Sequence, residues 1–433
     1  VNKDLVPSFS VVSLGCARTL VDTEKMVQSL QGKGFALVPE GHEQICVLNT
    51  CSFIQSAVDE TESNIVSLSD RKRRGEIRYL VVTGCYPSRF KKPELKARYP
   101  EVDIWLTTHE EDRLQAELAQ LVFRRRFLPS RPVRYTKLTP SHYSYIKISE
   151  GCDNWCSFCT IPKIRGKHTS KSIDEIVKEA ELQVSFGAKE LILIAEDTTA
   201  WGEDLYGTPS LPKLLDVLET VKGVEWIRLM YIFPSRVDDD LISSINRNSK
   251  IIPYLDMPVQ HANTRLLELM HRRHTGDRLR DLMKKLAAEI PNLVVRTSLI
   301  LGFPSETDAE VQELLQFIEE YPFAHLGCFS YSEERETKSA RIEPKIPEDE
   351  IQRRISRVMG RQYDLVIQRN KTRVGERLQM IYDGNRVGRS YREAPEVDGR
   401  LLVVDPKSLQ PGDMVEVQVI GVDGLDLTVA LCS

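Results

Sequence analysis

The sequence predicts an α/β protein of three successive parts: an N-terminal parallel α/β domain, a central partial (β/α)6 barrel and a small all-β barrel at the C-terminus. Three observations carry this. Short apolar runs alternate with amphipathic stretches through residues 8–122. The same alternation recurs six times over residues 144–371, and residues 372–433 turn to short β-rich runs broken by glycine, proline and aspartate.

The first part pairs FSVVSLGC with VDTEKMVQSLQGKG, EQICVLNTC with IQSAVDETESNIVSLSD, and IRYLVVTGC with PELKARYP, before DIWLTT and a last helical stretch. Such a repeat favours a parallel sheet covered by helices. The basic, proline-bearing residues 123–143 read as a linker. In the central part the strand candidates are 144–151, 190–197, 226–232, 254–260, 292–302 and 324–332, separated by helical patterns such as SIDEIVKEAELQVSFG. Six units are too few for the usual eight-unit barrel, so an open one is expected. The charged stretch PEDEIQRRISRVMGRQYDLVIQRNK reads as a helix leading out of it. The runs RLQMIYD, RLLVVD, MVEVQVIGV and DLTVALC then fit a small barrel of the OB type.

Composition sets limits. A chain of 433 residues with 41% hydrophobic and 28% charged side chains is an ordinary globular protein of several domains. A net charge of −4 lacks the footprint of a non-specific nucleic-acid binder. No apolar run is long enough to span a bilayer and VNKDLVPSFS is not a signal peptide, so a cytoplasmic protein without a membrane partner is expected. Thiols stay reduced there, and nine cysteines point to metal or catalysis before disulfides.

Six of those cysteines form two triads. Cys16, Cys51 and Cys85 each close one of the first three apolar runs, so a parallel sheet gathers them on its carboxyl edge, where such sheets place ligands. Cys152, Cys156 and Cys159, in EGCDNWCSFCTIP, follow the first barrel strand at the rim where barrel enzymes keep their chemistry. A structural zinc site uses four protein ligands, and His168 could complete a Cys3His set. Three thiolates on a 4Fe-4S cluster instead leave one iron open. Cys46, Cys328 and Cys432 lie in or at the end of apolar runs and read as core.

CxxxCxxC after a strand, opening a (β/α)6 region, resembles the radical S-adenosylmethionine enzymes. The stretches SLGCARTLVDTE, LNTCSFIQSA and VVTGCYP are similar to the N-terminal domain of the methylthiotransferases, and residues 372–433 to their TRAM domain. IPKIRGKHTSKSI, LILIAEDTTAWGEDLYG, YLDMPVQHANTRLLELMHRRHT and VGRSYREAPEVDG are most similar to the RimO type, which modifies an aspartate of a small-subunit ribosomal protein, rather than to the tRNA-modifying MiaB type.

The resemblance implies two 4Fe-4S clusters and S-adenosyl-L-methionine. One cluster on Cys152, Cys156 and Cys159 would bind the cofactor and generate a 5'-deoxyadenosyl radical able to take hydrogen from an unactivated β-carbon. The other, on Cys16, Cys51 and Cys85, would carry the sulfur. An electron donor such as flavodoxin or ferredoxin and a sulfur donor are implied as partners. Phe158, between the last two cluster cysteines, and Glu196, Gln260, Arg296 and Gly302, on strands whose ends should face the barrel mouth, are the expected cofactor contacts. The sequence departs from the family pattern at Ser305, Glu196 and Ala17–Arg18–Thr19, none of them a cluster thiol. The C-terminal part carries ten acidic against seven basic residues, a balance that suits a basic protein partner better than RNA.

Overall fold

The computed structural model describes residues 6–124, 136–406 and 409–432. Most of the basic segment expected to be a linker lies outside these residues. The chain divides into two compact units, one built mainly of residues up to 138 with 151–153 and 159–167, the other of 139–150, 154–158 and the rest from 168 onward.

The first unit is a five-stranded parallel sheet in the order Ala36–Leu37, Ser8–Ser13, Ile45–Thr50, Tyr79–Gly84, Ile104–Thr107. Its central strand, Ile45–Thr50, is buried at every position, as a strand covered on both faces must be. Cys46, Leu48, Leu80 and Val82 pack on the helix Gln55–Arg73, whereas Ile45, Val47 and Val81 pack on Ala17–Gln31 and Leu114–Phe123. The two-residue edge strand had no signal in the sequence.

The second unit holds an open six-stranded parallel sheet, in the order His325–Ser330, Val294–Leu301, Ile251–Asp256, Trp226–Leu229, Glu190–Ile194, Tyr143–Lys147. This is the partial barrel the six repeats predict. Alternate residues such as Ile146, Leu191, Leu193, Ile227 and Leu229 face the covering helices. Two of those helices start where sequence chemistry dictates. Ser172 with Glu175, and Thr307 with Glu310, form reciprocal capping boxes at the heads of Ile173–Ser185 and Asp308–Glu320. The long helix Glu348–Thr372 leads to a closed five-stranded barrel, Arg377–Gly384, Val387–Arg389, Leu401–Val403, Asp426–Leu431 and Met414–Asp423. The sequence supplied four of those strands; Val387–Arg389 is too short to show a period.

The other face of the six-stranded sheet carries charge. Glu190, the first residue of its strand, is fully buried between Arg228 Nε at 2.7 Å and Arg389 Nη1 at 2.7 Å. Arg228 also donates to the carbonyl of Tyr391, and Arg389 to Asp383, which in turn holds His142 Nε2 at 2.7 Å. Farther along the same loop, Glu396 accepts from Tyr143 Oη, and Asp398 accepts from Tyr254 Oη at 2.6 Å and Arg296 Nε at 3.2 Å. The loop 390–400, between two strands of the small barrel, therefore covers the amino-terminal end of the large one. The carboxyl end, which leads into Cys152, is the opposite end of the same strand.

Burial alone would raise the Glu190 carboxyl, but Arg389 and Arg228 hold it below the ordinary 4.5. A depressed carboxylate contributes stability that is complete above its unfolded value and drains away as pH falls through the folded one. Glu190→Gln leaves two buried cations without their anion, and the second unit is expected to lose about 3–5 kcal/mol. Urea unfolding at pH 7 followed by tryptophan fluorescence tests this. The wild-type advantage should persist down to the ordinary glutamate value of 4.5 and shrink only below it. A variant as stable as wild type at pH 7 would show the triad to be replaceable.

Candidate active site

Each cysteine of the first triad lies just past its strand. Cys51 and Cys85 directly follow Thr50 and Gly84, and Cys16 stands three residues beyond Ser13 as the N-cap of the helix Ala17–Gln31. Cys16 is thus farther from its strand than the apolar run suggests. The strand ends at Ser13 because the chain must turn at Gly15, whose φ is +102° and whose missing side chain lets the backbone approach Cys51; a Cβ there would stand 2.9 Å from Cys51 Cβ and 3.2 Å from its Sγ.

The three thiols feel one another. Ionised Cys16 raises the pKa of Cys51, and both raise that of Cys85. Two cations offset this. Arg165 is almost fully buried, with Nη2 3.5 Å from Cys85 Sγ and Nη1 3.3 Å from Asp22 Oδ2. Arg18 follows Cys16 in the first turn of the helix. Burial would push the Cys16 thiol up, but Arg18, the Thr19 N–H and Arg165 outweigh it and hold the thiol below its ordinary value. A helix N-terminus acts in the same direction. Burial dominates at Cys51, which is raised, and at Cys85, which is pushed up to about 12.

The second triad runs through a short loop. In the first unit the Cys152 N–H donates to Gly166 O at 3.2 Å. In the second, Cys156 Sγ accepts from Arg272 Nη1 at 3.6 Å, and Arg272 also holds Pro258 O at 2.6 Å. Ser157 fastens the loop through its N–H to Met270 O and its hydroxyl to Leu269 O. Asn154 donates to Asp197 Oδ2, which Arg236 approaches at 3.3 Å. Both nitrogens of the buried His274 and the Nε of Arg272 have no hydrogen-bond partner among the described residues. Polar groups buried in this way call for a ligand or water.

Arg165, Asp22, Arg272 and His274 were not singled out in the sequence. The signal for two of them was present in LELMHRRHT, two arginines flanked by two histidines. His168, the alternative zinc ligand, turns its Nε2 to Ser170 Oγ at 3.0 Å. Among the described residues no three histidine, cysteine or acidic side chains are drawn close enough to share one metal ion. Cys46 is fully buried and its thiol is pushed up to about 12 by burial; Cys328 packs against the core of the large sheet.

The expected cofactor contacts sort differently. Glu196 lies two residues past Ile194, and Gln260 four past Asp256 with φ +69°, a left-handed conformation kept in place by the Gln260 N–H to Ser298 O and the Ile300 N–H to Gln260 O. Phe158 packs beside Leu266, Met270 and Phe303. Arg296 departs from expectation: its guanidinium is spent on Asp256 and Asp398, within the charged face under the loop 390–400. Gly302 has φ +77° and its side-chain direction is filled by Ile351 of the outgoing helix, so packing already requires glycine there.

Residues 146–318 match the Radical SAM superfamily, 8–107 the Uncharacterized protein family UPF0004 and 359–431 the TRAM domain. The solved radical S-adenosylmethionine methyltransferase TsrM of Kitasatospora setae superposes with a TM-score of 0.56 at 14% identity over 75% of each chain. OxsB, a cobalamin-dependent radical enzyme, does so at 0.51 and 13%, over 77% of this chain and 54% of its own. At such identities the likeness concerns the fold alone. Fold and matches together define a radical S-adenosylmethionine enzyme with an added α/β domain and a terminal β-barrel. The chain is 39% identical to the ribosomal protein uS12 methylthiotransferase RimO of Dictyoglomus thermophilum, over 94% of this chain and 96% of that one. It is 38% identical to that of Pelotomaculum thermopropionicum, over 97% and 98%. The chain belongs to the RimO family of methylthiotransferases.

The opposed environments of the thiols make a prediction for protein stripped of metal. Iodoacetamide at pH 8 should alkylate Cys16 well before Cys85 and Cys46, because the thiolate is the nucleophile and, of these three, Cys16 alone is held below the ordinary 9.0. Peptide mass mapping over time reads the order; equal rates at Cys16 and Cys85 would contradict the assigned charges.

Proposed function

We propose that the protein adds a methylthio group to the β-carbon of an aspartate in ribosomal protein uS12, using two 4Fe-4S clusters and S-adenosyl-L-methionine. The observation that supports it most is the gathering of Cys16, Cys51 and Cys85 at one sheet edge around Arg165, in a chain of this family that also carries Cys152, Cys156 and Cys159 on the loop after the first barrel strand.

By their chemistry, though not by their spacing here, the donor sets suit the groups. Each is three thiols with a guanidinium at hand, Arg165 at Cys85 and Arg272 at Cys156, and a cation beside a thiol favours the thiolate that ligates iron. Cys152, Cys156 and Cys159 would hold the cluster that receives S-adenosyl-L-methionine. Cys16, Cys51 and Cys85 would hold the cluster that carries sulfur. When bound, the cofactor and its cluster supply radical chemistry, which removes hydrogen from a carbon that no side chain is basic enough to deprotonate.

The remaining roles belong to the protein. Ser157 and Asn154 anchor the chain on either side of Cys156 by their bonds to Leu269, Met270 and Asp197. Glu196 and Gln260, beyond the carboxyl ends of their strands, stand where the cofactor's polar groups would be received, with Phe158 as an apolar wall. Gly302 shapes the adjoining turn. We assign Arg296 to bracing the charged face and not to the cofactor. An electron donor of the flavodoxin or ferredoxin kind and a source of sulfur complete the reaction. None of the described helices is long and apolar enough to cross a membrane.

Two variants separate the triads. Cys156→Ala should abolish 5'-deoxyadenosine formation and, with it, product. Cys51→Ala, once circular dichroism shows it folded, should still cleave the cofactor yet form no methylthiolated peptide, measured by mass spectrometry on an anaerobically reconstituted enzyme with a uS12 peptide. A folded Cys51→Ala protein that transfers methylthio at the wild-type rate would make the first triad structural.

A further inference from the structure

The segment 270–274 carries one side chain inward on a strained backbone. His271 and Arg273 both have φ +57°, in the left-handed region that residues other than glycine seldom adopt, and Arg272 between them is 4% exposed. Its guanidinium is held from three sides: Nη2 donates to Pro258 O at 2.6 Å, Cζ lies 4.1 Å from the centre of the Phe233 ring, and Nη1 donates to Cys156 Sγ at 3.6 Å. The Arg272 backbone N–H closes on Leu267 O at 2.9 Å. Such strain persists where the surroundings over-determine it, and what it secures here is a cation against one thiol.

No acid offsets that cation. Among the described residues the polar partners of the guanidinium are the Pro258 carbonyl and the Cys156 thiol, and no carboxylate pairs with it. Arg165 differs, since beside Cys85 it shares its charge with Asp22. His274, buried near Arg272 and edge-on to the same Phe233 ring, adds no second charge at pH 7: burial, then the charge of Arg272, push its imidazole down to about 4. A buried cation is unfavourable without a counter-charge, and the sulfur of Cys156 is where this one can receive it.

We infer that Arg272 is a positioning residue that raises the reduction potential of the cluster on the barrel triad, by fixing a full positive charge and a hydrogen bond on the Cys156 sulfur. This rests on the reading that Cys152, Cys156 and Cys159 hold a 4Fe-4S cluster. Net charge and hydrogen bonds to the sulfurs are among the levers that spread the potentials of such clusters. Reduction brings in one electron from a low-potential donor of the flavodoxin or ferredoxin kind and makes or breaks no bond. The added negative charge is stabilised by a nearby fixed cation, more so in a buried site than in water. A guanidinium suits the task because its planar fork reaches the carbonyl and the thiol together while its face lies on the ring.

Potentiometric titration of the anaerobically reconstituted full-length enzyme, read by electron paramagnetic resonance, tests the role. The signal that changes on adding S-adenosyl-L-methionine marks the barrel cluster. In Arg272→Met its midpoint should fall until at least about tenfold less is reduced at a fixed potential, a shift of about 59 mV for a one-electron couple, while the other cluster stays where it was. Cofactor cleavage by this variant should slow with flavodoxin as donor and recover with titanium(III) citrate, a recovery that a collapsed site would not show. Arg272→Lys keeps the charge and should regain part of the shift; it also covers the event that the methionine variant folds poorly. Arg265→Gln removes an exposed cation paired with Glu310 at 2.7 Å and should leave both midpoints alone. An unmoved or raised midpoint in Arg272→Met, equal shifts of both clusters, or the same shift in Arg265→Gln would overturn the role and leave the reaction standing. A wild-type enzyme with no cofactor-sensitive cluster would overturn both.

Discussion

Much of the second unit hangs on the carboxylate of Glu190. It sits fully buried at the start of its strand, and its charge is tolerable because Arg228 lies beside it in the same sheet and Arg389 reaches it from the small barrel. Burying a lone carboxylate would cost several kcal/mol, so neither arginine can leave without leaving a charge exposed to an apolar interior. The two barrels are thereby locked at one register. Arg389 in turn orients Asp383 on His142, and the loop that follows it presents Glu396 and Asp398 to the tyrosines and to Arg296.

That lock has a functional side. By occupying the amino-terminal end of the large barrel with fixed charge pairs, it leaves the carboxyl end for the chemistry we propose. Radical chemistry needs a site from which stray hydrogen donors and water are kept away. The aliphatic face toward the helices, the charged face sealed by the loop and the loop of cysteines at the far end divide these tasks among different residues.

The sequence disclosed what is periodic or what is chemically rare. Strands such as Ile45–Thr50 and Tyr79–Gly84 announced themselves as apolar runs ending in cysteine, and spacing and strand position suggested two triads among the cysteines. Val387–Arg389 and Ala36–Leu37 were not, since two or three residues carry no period and owe their existence to neighbouring strands. Arg165 and Arg272 escaped for a related reason. An arginine's partner is chosen by tertiary folding, and nothing local separates one that faces a thiol from one that faces solvent. Arg296 fell on the other side of that ambiguity: its place on a strand was legible, but it stands near the amino-terminal end, and a carboxylate that claims it is 102 positions away.

The hydrogen bond from Tyr143 to Glu396 joins residues 253 positions apart, and that span bears on how the protein is made. A chain leaving its own ribosome at about 5–20 residues per second completes the last strand of the large barrel well before the loop that caps its first strand exists. During that interval Glu190 has Arg228 but not Arg389, and the inner face of the barrel is open from below. The nascent barrel is thus a half-lined vessel until its final barrel docks, which makes the C-terminal residues the closing step of assembly.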